Sequence, residues 1–196
     1  MPVGTIVASG WASGLNLYGT VLLLGLAGRL GWADVPTDLQ QTWVLVAAGV
    51  LYAIEFVVDK VPWADSLWDS VHTVVRPIGG GLLGALFAKE GGDPEVVAAL
   101  LGGGFSLTAH GAKASTRAMV NASPEPASNI ALSFAEDGVV AAMVALALAF
   151  PVVAGIVATV FAITSVAVTW ILFRFVRRTW RRIAAWRARR SGGAGP

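Results

Sequence analysis

The sequence contains no cysteine and only two histidines in 196 residues. The lack of thiols excludes disulfide bonds and thiolate metal sites, and two histidines leave little material for a metal centre. Charged residues are also scarce, at 13% of the chain, whereas soluble domains carry about a quarter. So few charged residues cannot cover the surface of a water-soluble protein. These absences therefore exclude a disulfide-held scaffold and point to a protein that folds within a membrane.

Hydrocarbon side chains dominate what is present, at 56% of the residues, with a mean hydropathy of +0.69. Long apolar runs separated by short polar loops predict an all-α, polytopic membrane helix bundle of about six spans. No basic residue precedes Arg29, whereas a signal peptide needs a basic n-region, so the first run is expected to remain as a span. The predicted spans are 3–31, 42–60, 65–88, 94–121, a fifth that ends near Phe150, and 152–176.

The basic residues are distributed unevenly along the chain. Eight of the fourteen Lys and Arg residues are arginines between Arg174 and Arg190, and no acid lies among them. Such a run next to an apolar helix is typical of a cytoplasmic anchor that contacts anionic lipid, and no nucleic-acid role is expected. We therefore expect one transmembrane domain at 1–176, a basic tail at 177–196, and an inner (plasma) membrane protein with both termini cytoplasmic.

Ionisable residues interrupt the predicted spans, although each costs several kcal/mol in a bundle unless it is paired. They fall on helical stripes at spacings of three, four or seven residues, so each stripe shares one helix face. Such residues indicate a lined pathway or a binding site, with purely structural ion pairing as the alternative. The stripes are Glu55 with Asp59, then Asp69, His72 and Arg76, then His110, Lys113 and Arg117, with Glu136 and Asp137 adjacent in the fifth span.

Glycine clusters predict interruptions in two spans. Pro77 is followed by glycines at 79–81, and a second triplet occupies 102–104, so a kink or break is expected at each. Residues 10–16 also align without gaps on 104–110, which puts Asn16 opposite His110, and 56–60 matches 134–138. These matches predict two inverted three-helix repeats, about 3–90 and 94–176, around a site near the midplane.

The inventory of buried charges suggests two chemistries. Arg76, Lys113 and Arg117 suit an anion, and Asp59 and Asp137 beside two histidines suit proton coupling. The resulting hypothesis is a proton-coupled membrane transporter of a small anionic solute or lipid-linked headgroup. The predicted substrate- or ion-binding residues are Asn16, Glu55, Asp59, Asp69, His72, Arg76, His110, Lys113, Arg117, Glu136 and Asp137.

Two other classes of function stay open. Polar stripes also line ion channels, and paired charges can serve a structural or scaffolding membrane protein without transport. An enzyme is not expected, because the sequence has no Gly-x-Ser-x-Gly, His-Glu-x-x-His, phosphate-binding loop or aspartate cluster for a divalent metal. No catalytic residue, cofactor or metal is assigned, and a homo-oligomer is allowed.

Three motifs carry a resemblance to a known family. They are Glu-x3-Asp-Lys-x-Pro-x2-Asp-x2-Trp-Asp from Glu55 followed by Thr73-x2-Arg76-Pro77, Ser-Gly-Leu-Asn-x-Tyr from Ser13, and His-x2-Lys-Ala-x2-Arg from His110. Over about residues 5–150 the chain resembles the bacterial integral-membrane domain-of-unknown-function family numbered 4126. The resemblance implies a small integral membrane protein and assigns no activity.

Overall fold

The computed structural model describes residues 3–121 and 126–191, apart from the side chains of 62, 126 and 183–191. Seven helices and one short 3-10 turn (Thr37–Gln40) account for most of these residues, which contain no strand. The all-α prediction is therefore confirmed. The loop predicted at 122–128 lies partly outside the described residues, as do 192–196 of the basic tail. The helices are α1 Val3–Leu15, α2 Leu17–Arg29, α3 Thr42–Val58, α4 Pro62–Gly91, α5 Glu95–Val120, α6 Pro126–Ala149 and α7 Pro151–Ser191.

The helices present apolar residues to their surroundings, as a membrane bundle does. Among the described residues, three segments are long and apolar enough to cross a membrane: Trp63–Gly91, Ala127–Ala149 and Pro151–Arg182. Helices α1, α2 and α3 are shorter and also apolar. An exposed stripe on α3 repeats every three or four residues, so one face of that helix meets hydrocarbon. Its members are Trp43, Val46, Val50, Ile54 and Val57.

The apolar run predicted as the first span forms two helices that meet at Asn16 and reverse direction there. Helix α1 runs in the same direction as α5, since Gly10 lies against Gly102 and Gly14 against Ser106. Each of the two helices has 13 residues, or about 20 Å of rise, which is less than the roughly 30 Å hydrocarbon core. The prediction of one spanning helix at 3–31 is therefore wrong.

The return path of α2 follows from its contacts with α3. Gly19 lies beside Tyr52, and Arg29 donates a hydrogen bond to Thr42, so the two helices are antiparallel. The last residues of α1 and α3 lie close together, because the Lys113 ammonium contacts both. It lies 3.1 Å from the Leu15 carbonyl and 2.8 Å from the Asp59 carboxylate. Helix α2 must therefore lead back towards the end of the bundle where α1 began, and we call α1 and α2 the N-terminal hairpin.

Asn16 is the physical cause of the reversal. Its backbone is extended (φ −148°, ψ 102°) and its side-chain oxygen accepts the Gly19 N–H at 2.8 Å, so it caps the start of α2. An N-cap side chain satisfies one of the donors that a new helix leaves unpaired. A polar residue in the middle of an apolar run is thus used to begin a second helix.

The two ends of the bundle can be told apart by their turns. We call the end that carries the turn between α4 and α5 the outer end, and the arginines of α7 extend from the opposite end, which we call the inner end. Thr5 near the start of α1 lines the same outer cleft as Trp32 and Glu90. A Cβ atom added at Gly4 would overlap the carbonyl oxygen of Pro151, so α1 and α7 start side by side. Because α7 runs on to Ser191, the first and last described residues lie at opposite ends, contrary to the prediction that both termini share one side.

The predicted inverted repeat is not confirmed by these directions. A two-fold axis in the membrane plane would reverse each helix relative to its mate. The aligned segments 10–16 and 104–110 lie on α1 and α5, which run in the same direction. No such axis can relate this pair.

Helices α4 and α5 continue through the glycine clusters that predicted interruptions. Helix α4 includes Pro77 and glycines 79–81, and α5 includes glycines 102–104. The glycines let the helix backbones of α1, α4 and α5 touch, since an added Cβ atom at each would overlap an atom of a neighbouring helix. We call this contact the glycine seam; its members are Gly10, Gly14, Gly80, Gly84 and Gly102.

Candidate functional site

Four helices bring the predicted ionisable stripes into one buried group below the tip of the N-terminal hairpin. Every member is at most 8% exposed, and Arg76 lies halfway along the 30-residue helix α4. The group extends from this mid-depth position towards the inner end. We call it the charge cluster; its members are Glu55, Asp59, Asp65, Asp69, Arg76, Lys113, Arg117 and Glu136.

Arg76 is the fully buried centre of the part of the cluster that lies nearest the hairpin tip. We call this the upper part; it contains Glu55, Asp69 and Arg76. One terminal guanidinium nitrogen lies 2.5 Å from Glu55, and the other lies 3.2 Å from Asp69. The second nitrogen also donates to the Gly14 carbonyl at 3.3 Å and to the His110 ring at 2.8 Å. A buried arginine can stay charged here because carboxylates and carbonyls replace its water shell.

Lys113 joins the upper and lower parts of the cluster. Its ammonium nitrogen is 2.8 Å from Asp59, 3.5 Å from Glu136 and 3.7 Å from Glu55. It also donates to the Leu15 carbonyl at the end of α1. One compact cation is therefore shared by three carboxylates. A change in the charge of one carboxylate alters how strongly the Lys113 ammonium attracts the other two.

The lower part of the cluster lies nearer the inner end and contains Asp59, Asp65, Arg117 and Glu136. Arg117 holds it together through a two-point pair with Glu136. The two contacts are 3.2 Å from its Nε and 2.5 Å from a terminal nitrogen. Its other terminal nitrogen donates to the backbone carbonyl of Asp59 at 2.9 Å and to Asn129 at 2.7 Å, and it lies 3.9 Å from Asp65. This fork geometry is the reason arginine suits the position better than lysine.

The hairpin tip contributes backbone groups as well as Asn16. The last carbonyls of a helix have no partner within the helix and carry partial negative charge. The carbonyls of Gly14 and Leu15, at the end of α1, accept hydrogen bonds from Arg76 and Lys113 respectively. The break in the first apolar run therefore directs the negative end of α1 at two buried cations.

His110 is held as a neutral ring by its partners. Arg76 can only donate, so the His110 Nδ1 that lies 2.8 Å away accepts. The Nε2–H then donates to the Thr73 hydroxyl at 3.0 Å, and that hydroxyl donates to the Asp69 carbonyl at 3.0 Å. The ring therefore acts as a link between α4 and α5 in this conformation.

His72 is buried beside the cluster and forms hydrogen bonds with residues outside it. Its Nδ1–H donates to the Trp68 carbonyl at 2.8 Å, and its Nε2 lies 2.9 Å from the Tyr18 hydroxyl. The imidazole also stacks on the Trp68 ring, with 4.6 Å between the ring centroids. His72 therefore ties α4 to the beginning of α2 through an aromatic group.

Asp137 lies at the edge of the cluster and is half-buried. It accepts a hydrogen bond from the Asn16 side-chain amide at 3.0 Å. Asn16 therefore caps α2 with its oxygen and binds α6 with its nitrogen. Asn16 is only 2% exposed, so both contacts lie inside the bundle.

The buried charges do not balance. The described residues include five buried carboxylates, from Glu55, Asp59, Asp65, Asp69 and Glu136, against three buried arginine and lysine side chains beside two buried histidines. Moreover, no donor among these residues forms a hydrogen bond with Glu55 Oε2, Asp59 Oδ1 or Asp69 Oδ2. A buried carboxylate oxygen without a donor is unfavourable when it is charged, so these three oxygens are sites where an added proton would relieve the cluster.

Sequence reasoning missed several polar residues of the site. Asp65 is fully buried and accepts a hydrogen bond from Asn121 at 2.7 Å. Asn129 and Ser133 are buried on the face of α6 that carries Glu136. The spacing of Asn129, Ser133 and Glu136 at i, i+4 and i+7 is the signal that could have revealed this stripe. Among the described residues no group of three or more histidine or acidic side chains is arranged to hold a metal ion.

Comparison with known proteins gives a family and no activity. A family described as a domain of unknown function (DUF4126) matches residues 3–171. The chain belongs to the DUF4126 family. The DUF4126 match includes the whole N-terminal hairpin and every residue of the charge cluster. Neither a curated protein nor a solved structure matches the chain.

Proposed function

We propose that the protein is a proton-coupled membrane transporter of a small anion, with the charge cluster as its transport site. The observation that carries the proposal is the excess of buried carboxylates over buried arginine and lysine side chains, five against three. A structural ion pair needs one acid for each base. The additional carboxylates, some with an oxygen that no donor in the described part of the chain reaches, are suited to taking up and releasing protons.

Competition within the cluster provides the coupling. Arg76, Lys113 and Arg117 are each bound to carboxylates, so an incoming anion finds no free positive charge. Protonation of one carboxyl group weakens its hold on a base, and that base can then bind an anion. A proton and a monovalent anion that load together leave the net charge of the cluster unchanged. A free carboxylate or phosphate and the headgroup of a lipid share this chemistry.

The proposal includes a topology. Helices α3 to α7 would cross the inner (plasma) membrane, and the N-terminal hairpin would enter from the outer side and return to it. The arginine-rich end of α7 would be cytoplasmic by the positive-inside rule. Irregular backbone at membrane depth is tolerated where protein buries it, and Asn16 is 2% exposed. Ion sites at broken helices are a recurring feature of secondary transporters.

Proteoliposomes test this function directly. Vesicles with a pH-reporting dye in the lumen, and with potassium and valinomycin to clamp the potential, receive inorganic phosphate or a dicarboxylate on one side. The proposal predicts lumen acidification that depends on the anion and exceeds that of protein-free vesicles. Anion-independent flux at rates far above carrier turnover would identify a channel.

A scaffolding role is the second candidate, because every basic side chain of the cluster is already paired. In that case the protein would fold and insert, and no anion would drive proton movement in the same vesicles. The absence of flux with either anion, in protein shown to be folded, would favour the scaffold over the transporter.

A further inference from the structure

A cleft of about 260 Å³ opens between α4 and α5 near the inner end of the bundle. Its walls carry hydroxyls of α4 and small residues of α5, among them Ser70, Thr73 and Ala118, and it also reaches Asp69 and Arg117 of the charge cluster. Ser70, Thr73 and Ala118 are exposed, whereas Asp69 and Arg117 are at most 5% exposed. The cleft therefore leads from the surface to two buried charges.

Asp69 is the buried acid in this lining. Its Oδ1 is paired with Arg76, whereas no hydrogen-bond donor among the described residues reaches its Oδ2. A buried carboxylate oxygen without a donor is a group that water or a proton would stabilise. Asp69 is ion-paired directly with Arg76, which is the centre of the upper part of the cluster.

The outer approach to the cluster is closed by contrast. An outer cleft of about 440 Å³ is lined by Thr5, Asp34 and Glu90. Between it and Arg76 lies the glycine seam, where helix backbones are in contact. A Cβ atom added at Gly102 or Gly84 would overlap a carbonyl oxygen of the facing helix. A seam that has no room for a methyl group has no room for a water molecule.

We propose that the α4–α5 cleft is a water-filled inner vestibule through which protons reach Asp69, so that the chain is described in its inward-open form. This inference rests on the proposed function for its purpose, while the presence of water in the cleft can be measured without transport. The hydroxyl-bearing residues Ser70 and Thr73 distinguish the cleft from the lipid-facing side of the same helix. There Val71, Val74 and Ile78 are between 58% and 62% exposed.

Because the natural chain has no cysteine, single thiols can be introduced without background. A maleimide reacts with the thiolate, which forms only where water is present. Ser70→Cys and Ala118→Cys report on the vestibule, Val74→Cys on the lipid face, and Ser13→Cys on the seam, where Ser13 is fully buried. Each variant is treated in inside-out membrane vesicles with a membrane-impermeant maleimide.

The expected result is modification of Ser70→Cys and Ala118→Cys at least tenfold faster than Val74→Cys, with Ser13→Cys unmodified until the protein is denatured. Equal rates for Ser70→Cys and Val74→Cys would mean that lipid fills the cleft and would overturn the proposal. Disulfide-linked dimers of Ser70→Cys on mild oxidation would also overturn it, because a second copy would then occupy the cleft. Labelling as expected without any flux would remove the proposed function and leave the vestibule in place.

Discussion

The outer and inner halves of the bundle are held together by different forces. In the outer half, α1, α4 and α5 meet at the glycine seam, where backbones touch and dispersion contacts dominate. In the inner half, α3 to α6 meet at the charge cluster, where arginine and lysine side chains fill the interior. The outer half should therefore tolerate no added volume, and the inner half should not tolerate the loss of a basic side chain.

This contrast also separates stability from function. A close-packed seam has one arrangement, because interiors resist a change of even one methylene. A cluster with more acids than bases has several arrangements of similar energy, since protons and pairings can be exchanged. The difference suggests that the seam acts as the fixed part and the cluster as the part that changes during a cycle.

Removing a buried base should have the largest effect. Arg117→Met leaves Glu136 without its two-point partner, and loss of one member of a buried pair costs about 3–5 kcal/mol. We expect a clear loss of thermal stability in detergent, measured by the melting of the purified protein. Arg177→Met on the exposed surface of α7 is the matched control. The double variant Arg117→Met with Glu136→Gln should recover part of the loss, and equal melting of all variants would contradict the role of the cluster.

Adding one methyl group at the seam should have the next largest effect, with opposite signs at two neighbouring glycines. A Cβ atom at Gly102 would overlap the Gly80 carbonyl, whereas one at Gly104 meets no atom of the described residues within 4 Å. Gly102→Ala should lose about 1–3 kcal/mol by overpacking. Gly104→Ala should gain up to about 1 kcal/mol from helix propensity. Unfolding of both variants in denaturant decides the matter, and a loss of the same size at both positions would argue against the seam.

The hairpin tip should show an intermediate effect. Asn16→Ala removes the cap of α2 and the hydrogen bond to Asp137, for an expected loss of about 1–2 kcal/mol. Asn16→Ser keeps a capping hydroxyl and is too short to reach Asp137, so it should lose roughly half as much. Hydrogen exchange of the α2 amides should rise most in Asn16→Ala. If serine and alanine behave identically, the cap does not hold the hairpin.

The smallest effect is expected at the outer surface. Lys89 and Asp38 lie 3.6 Å apart and are 62% and 48% exposed. Lys89→Ala should change the free energy of unfolding by about 0–1 kcal/mol, because solvent screens exposed pairs. Chemical denaturation alongside Arg117→Met measures the difference between an exposed pair and a buried one. A loss comparable to that of Arg117→Met would remove the contrast between surface and cluster.

Local patterns allowed much of the fold and site to be predicted. Helical character and the stripes around Arg76 and Lys113 follow from residue spacing, which the sequence displays directly. The reversal at Asn16 could not be predicted, because a 29-residue apolar run is long enough to span a membrane and one capping side chain is a weak signal beside it. The continuity of α4 past Pro77 depends on neighbouring helices, which no local pattern contains. The same reason hid the pairing of Asn16 with Asp137, 121 positions apart.

The central claim is that the charge cluster carries protons together with an anion. Asp59→Asn keeps the shape of a side chain that binds Lys113 at 2.8 Å and removes its ability to exchange a proton. Anion-driven acidification of proteoliposomes, compared between the wild type, Asp59→Asn and the exposed control Asp38→Asn, tests the claim most directly. The account predicts loss of acidification in Asp59→Asn alone, with normal expression and folding. Unchanged acidification in folded Asp59→Asn would contradict the claim. Unfolding of Asp59→Asn, together with a folded wild type that shows no anion-driven acidification, would also contradict it.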